Sequence, residues 1–170
     1  GKVKKLVDAV EHVSFSGRRA IAQGQHITYV TERCVMELRP AGVTVTELAP
    51  TTRIALRTAD PAGTGIALGV ALPSRIGDRT AEGARSALCL GPDEWLVEAP
   101  EAEGGALLAT LADLATRQPL SAVAVSDREV TWRLEGPAVL ALLATGAPRD
   151  LARMPVGSGA RTLFDTAQVV

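Results

Sequence analysis

Leu90-Gly91-Pro92-Asp93-Glu94-Trp95-Leu96-Val97 decides the reading of this chain. An apolar run stops at Gly-Pro, passes two acids and resumes at a tryptophan. Residues 87–90 and 95–99 therefore predict two strands of a hairpin, with Gly91, Pro92, Asp93 and Glu94 at its turn. Asp and Glu suit such a turn because they cap backbone N–H groups and stay solvated. Trp95 is the natural anchor of the hairpin to a core. The alternative reading makes Asp93 or Glu94 a general base, but acids are common in such turns for the capping reason alone.

Working forward, Leu107, Leu108, Leu111 and Leu114 share one helical face over residues 104–117. Residues 122–126 form an apolar strand. Val130, Trp132 and Leu134 then alternate with Thr131, Arg133 and Glu135, the period of a half-buried strand. Gly136-Pro137 ends it, and Pro137 suits the first position of a helix carrying Val139, Leu140, Leu142 and Leu143. Gly146 and Pro148 stop that helix, and residues 161–170 read as a strand or half of a hairpin. Working backward, 73–83 reads as a polar loop, 60–69 as a Gly-rich connection and 53–57 as a strand. The order β, hairpin, α, β, β, α, β predicts an α+β fold, an antiparallel-rich sheet with helices packed on it.

Residues 1–50 read differently. Val3, Leu6, Val7 and Val10 form a helical stripe. Short strands follow over 27–30, 34–38 and 43–46, with a turn at Pro40-Ala41-Gly42. This is an N-terminal helix plus a β-meander appendage, marginal without a larger partner surface. We expect two segments, 1–50 and 51–170. No repeat or low-complexity tract is visible.

Composition narrows the function. Hydrophobic residues are 46% of the 170, enough for a core, yet aromatics are only 3%. Eighteen basic residues against 19 acidic ones leave a net charge of −1, which speaks against a nucleic-acid face. No apolar run reaches the roughly 20 residues that span a bilayer. The basic start, Gly1-Lys2-Val3-Lys4-Lys5, does not lead into an apolar signal run. A cytoplasmic location is the expectation, with Cys34 and Cys89 as buried free thiols. The missing initiator Met and the strand-like ending Ala167-Gln168-Val169-Val170 suggest a piece of something longer.

The chemistry-bearing residues are sparse. His12 and His26 stand singly, without the converging ligands that a metal site needs. Cys34, between Arg33 and Val35, has no local activating signature for a nucleophile. Gly63-Thr64-Gly65 echoes part of a phosphate loop, but no Gly-Lys-Ser/Thr follows. Arg18-Arg19 reads as a solvated pair. The residues alone thus predict no catalytic, cofactor-binding or metal-binding site.

Two resemblances add to this. Residues 51–170 resemble the gamma subunit of heterotetrameric sarcosine oxidase. The matching stretches, in order, are Leu68-Gly69-Val70-Ala71-Leu72-Pro73 and Cys89-Leu90-Gly91-Pro92-Asp93-Glu94-Trp95-Leu96-Val97, then Ala124-Val125-Ser126-Asp127. After these come Leu134-Glu135-Gly136-Pro137-Ala138, Pro148-Arg149-Asp150-Leu151 and Ala160-Arg161-Thr162-Leu163. Each is modest alone; their collinear order is specific. The resemblance implies an α+β fold like the folate-binding domain of aminomethyltransferases. It also implies a place among alpha, beta and delta subunits. Those subunits would carry FAD, FMN, NAD and tetrahydrofolate, oxidise sarcosine to glycine, and form hydrogen peroxide and methylene-tetrahydrofolate.

The second is carried by Val10-Glu11-His12-Val13-Ser14-Phe15-Ser16-Gly17, Tyr29-Val30-Thr31-Glu32-Arg33-Cys34-Val35 and Glu47-Leu48-Ala49-Pro50. With these, residues 1–49 resemble the C-terminal end of an acyl-CoA:acetate/3-ketoacid CoA-transferase. In that family the catalytic glutamate lies well upstream of such a segment, and a glycine follows Ala-Pro where this chain has Thr51. A natural fusion, an assembled sequence and a deliberate chimera are all consistent with the junction. The functional alternatives are an inactive transferase remnant and a free-standing small-molecule binder.

Overall fold

A computed structural model describes residues 42–170 continuously. Before them it describes only the strands β1 (Val13–Ser16), β2 (Arg19–Ala22) and β3 (Gln25–His26). These three pair in the order β1-β2-β3. The expected helix over 3–10 and strands over 27–30 and 34–38 lie outside the described residues, as do His12, Arg18 and Cys34. Among the described residues, 42–48, 131–153 and 162–170 fall in one compact unit, and 49–130 with 154–161 in a second. Every recorded strand pairing is antiparallel, so the fold is mixed α/β with antiparallel sheets.

In the first unit, β4 (Thr44–Glu47) pairs with β10 (Trp132–Glu135), setting Val45 opposite Leu134 and Glu47 opposite Trp132. The alternation over 43–46 correctly marks a strand. Its partner is not a neighbour in sequence, because burying Val45 requires an apolar row that β10 supplies. The helix α3 (Val139–Ala144) begins two residues after Pro137, which sits in the preceding turn instead of at the first helical position. β11 (Thr162–Phe164) and β12 (Ala167–Val169) form the closing hairpin.

The second unit is built on five strands in the order β6-β7-β8-β5-β9. They are β5 (Thr51–Thr58), β6 (Arg79–Glu82), β7 (Arg85–Gly91), β8 (Glu94–Pro100) and β9 (Leu120–Ala124). Register places Ile54 beside Val97 and Leu56 beside Trp95, with Val97 and Trp95 in turn beside Ala87 and Cys89. Since side chains alternate across a strand, these residues share one face. Leu68 from α1 (Pro61–Leu68) and Leu107 and Leu111 from α2 (Gly104–Ala115) complete the core on that face.

Two expectations are corrected here. Residues 60–69 are not a loose connection but hold α1. The Asp60 side chain accepts the Gly63 N–H, Pro61 opens the helix, and Gly69 closes it at φ +66°. Caps and burial of Leu68 outweigh the weak helical propensity of two internal glycines. Within the expected loop 73–83, β6 pairs with β7 as an edge strand. Its residues are exposed or half-exposed, so no apolar period announced it.

Candidate functional site

The β7–β8 turn is the obvious place to look for chemistry, since it carries the adjacent acids. Gly91 pairs with Glu94, and a register shift between Cys89 and Gly91 marks a bulge at Leu90. Trp95 follows at 2% exposure, and its indole N–H donates to the Pro73 carbonyl at 2.7 Å. The indole therefore ties the long connection before β6 to the core as well as anchoring the hairpin. The Cys89 thiol lies beneath, donating to the Gly91 carbonyl at 3.2 Å. Burial pushes its pKa up, so it stays a neutral thiol with little nucleophilic character.

Glu94 projects to the opposite face of the sheet from Trp95. Its carboxylate accepts Arg161 Nη2 at 2.6 Å on one oxygen and Arg57 Nη2 at 3.2 Å on the other. The Arg161 hydrogen bond holds the carboxyl below its ordinary pKa, with the charges of Arg161 and Arg57 adding to the effect against desolvation. Asp93 faces Arg57 at 3.6 Å and is well exposed. The two acids thus hold arginines, a use that the capping expectation did not foresee. An anion gripped by two guanidiniums makes a poor general base.

A second ionic cluster lies along the same face and was missed in the sequence. Arg53, 5% exposed, places Nε 3.2 Å from Glu98 and 3.7 Å from Glu129. Glu98 also accepts Ser86 Oγ at 3.3 Å and lies 3.9 Å from Arg79. The signal that could have found the pair is register: Arg53 and Glu98 are direct cross-strand partners. A buried arginine so held is a structural ion pair, because stripping either partner leaves an uncompensated charge.

Gly63-Thr64-Gly65 lies inside α1. Thr64 is fully buried, its hydroxyl 3.0 Å from both Thr58 Oγ1 and Gln118 Nε2. The stretch packs a helix, with the Thr64 hydroxyl turned to protein partners. Beside α1, Pro61, Ala62, Gly65, Ile66, Leu72 and Glu82 help line an open groove of about 350 Å³. It is apolar apart from Glu82, and Ile66 stands 84% exposed at its lip. Among the described residues, no three His, Cys, Asp or Glu side chains converge as a metal site would require. Nor is any described helix long and apolar enough to cross a membrane. His26 and Arg19 lie in β3 and β2.

No family model matches the chain. Sarcosine oxidase subunit gamma from Corynebacterium sp. (strain U-96) is 38% identical over 115 residues, covering 64% of this chain and 55% of that protein. The structure of heterotetrameric sarcosine oxidase from Corynebacterium sp. U-96 in complex with pyrrole 2-carboxylate contains a chain that superposes with a TM-score of 0.62. The match has 27% identity and covers 94% of this chain and 76% of that one. Caffeate CoA-transferase from Acetobacterium woodii is 54% identical over 50 residues, 29% of this chain but 10% of the transferase. The likeness to sarcosine oxidase gamma subunits, and to CoA-transferases in one segment, is thereby borne out. The chain spans about half the length of the gamma subunit it matches.

Proposed function

We propose that this chain serves as the gamma-type subunit of a heterotetrameric sarcosine oxidase, contributing surface and not chemistry to the complex. The observation that carries this reading is agreement between two comparisons: 38% identity over 115 residues to the gamma subunit, and a structural match over 94% of the chain. The geometry is in keeping with it. The acids at the turn hold arginines, the described thiol is buried, and Thr64 is locked in a helix. On this reading the partners are alpha, beta and delta subunits in the cytoplasm. They carry FAD, FMN, NAD and tetrahydrofolate, convert sarcosine to glycine, and form hydrogen peroxide and methylene-tetrahydrofolate. On the same reading residues 51–170 have an architecture like the folate-binding domain of aminomethyltransferases, and the segment boundary lies near residue 50.

Co-expression with the three partner subunits, followed by gel filtration, tests the proposal. The chain should co-elute in a stable complex with oxidase activity. Elution alone under all conditions sinks it. A second reading is favoured by the 50 residues at 54% identity: an inactive CoA-transferase remnant. Acyl-CoA and acetate should then show no exchange, whereas exchange above background would make the chain an enzyme. The small-molecule-binder alternative predicts a rise in melting temperature with added folate, by mass action on the native state. We expect no rise.

A further inference from the structure

Residues Met154–Arg161 belong to the second unit, although the stretches on both sides of them, 131–153 and 162–170, belong to the first. This short segment lies against the sheet face opposite α1 and α2. Its backbone is held where the Gly159 N–H donates to the Gly77 carbonyl at 2.9 Å; Gly77 N–H in turn donates to Cys89 O at 2.9 Å. Gly159 sits directly over Leu88: a Cβ there would lie 2.8 Å from Leu88 Cδ2. Leu88, neighbour of the core-facing Ala87 and Cys89, points to this outer face and is 8% exposed. At the far end, Arg161 grips Glu94 at 2.6 Å. In the middle, Val156 is fully exposed, and Ser158 closes a small turn on Pro155 O.

Among the described residues, a backbone hydrogen bond, an apolar seat and an ion pair thus hold the segment on the sheet. The ion pair joins two of the stretches that carry the sequence resemblance, Gly91–Trp95 and 160–163. Other charges facing Glu94 are Arg57, at 3.2 Å on its second oxygen, and Asp93, which meets Arg57 at 3.6 Å. Arg57 would keep the turn in place if Arg161 let go. We propose that Met154–Arg161 is a strap latched on the sheet by the Arg161–Glu94 ion pair, able to lift as a unit and uncover Leu88 while the sheet stays folded.

Hydrogen exchange on the full-length chain at neutral pH tests this directly. In Arg161→Gln, the Gly159 amide and its neighbours over 157–161 should exchange about fivefold faster, the upper range for a partly exposed ion pair. Amides of β5 and β8 should not change. Arg161→Lys should restore most of the protection. Raising salt to about 1 M, where the screening length falls to about 3 Å, should speed wild-type strap exchange without touching β5. Gly159→Ala, which wedges the backbone off Leu88, should give the same local loss, and salt should no longer modulate it. The salt arm uses the unaltered chain, so it stands even if a variant folds poorly. Strap exchange indifferent to both salt and Arg161→Gln would overturn the latch. A rise shared equally by β5 and β8 would overturn independent lifting.

Discussion

Truncating Trp95 to alanine is the sharpest test of how the hairpin is held. The indole is 2% exposed among Leu56, Cys89 and their neighbours, and it also donates to Pro73 O at 2.7 Å. A buried aromatic of this size removes about 200 Å² from water, worth about 5 kcal/mol at about 25 cal/mol per Å². Measured truncations of buried Phe and Trp cost about 3–5 kcal/mol. Loss of the hydrogen bond strands the Pro73 carbonyl and places the expected cost at the upper end, about 4–5 kcal/mol. That is a large share of the roughly 5–15 kcal/mol that stabilises a typical domain. Trp95→Phe keeps most of the apolar volume and loses the N–H, so about 2 kcal/mol is expected. Asp93→Ala, which gives up only an exposed pairing with Arg57, should cost at most about 1 kcal/mol and leave any assembled oxidase active. Urea titrations followed by far-ultraviolet circular dichroism avoid dependence on the indole as a fluorophore, and unchanged m-values would confirm that stability alone moved. A Trp95→Ala cost below about 1.5 kcal/mol would refute the anchoring argument. A stable Asp93→Ala complex that no longer turns over would make the turn a functional site.

Other outcomes follow from the same geometry. Glu94 has a folded-state pKa below its ordinary 4.5, so its contribution is complete above that value and is lost as pH falls through the lower folded value. Glu94→Gln should therefore be about 1 kcal/mol less stable than wild type near pH 7, with the gap closing as pH falls below 4.5; a gap that is constant with pH would contradict the ion-pair assignment. Cys89, buried and raised in pKa, should resist iodoacetamide at pH 8 in the native chain and react once unfolded, as peptide mapping would show; native-state labelling would refute its burial. Gly136→Ala should cost about 2–3 kcal/mol, since Gly136 holds φ +129° and a Cβ would lie 2.2 Å from Gly42 O. Gly83→Ala, at φ +58° with open space around it, should cost only about 1 kcal/mol, and equal thermal shifts for the two would undo that contrast.

The sequence alone determined those elements whose signal is local. Gly91-Pro92-Asp93-Glu94-Trp95 specifies a hairpin because turn residues interrupt two apolar strands. Leu107 and Leu111 specify α2 because one helical turn brings them to the same face. The alternation around Val45 and Leu134 identifies β4 and β10 as strands. Tertiary structure alone decided who meets whom. β4 pairs with β10 because both need a partner for their apolar rows, and period two carries no address. α1 forms through Gly63 and Gly65 because Asp60 and Gly69 cap it and Leu68 is buried, so packing overrides propensity. β6 is polar and edge-paired, invisible to any hydrophobic period. The ionic clusters Arg53–Glu98–Glu129 and Arg57–Glu94–Arg161 join charges far apart in the chain. Such contacts depend on strand register and on where the segment 154–161 lies, which the linear order of residues does not state.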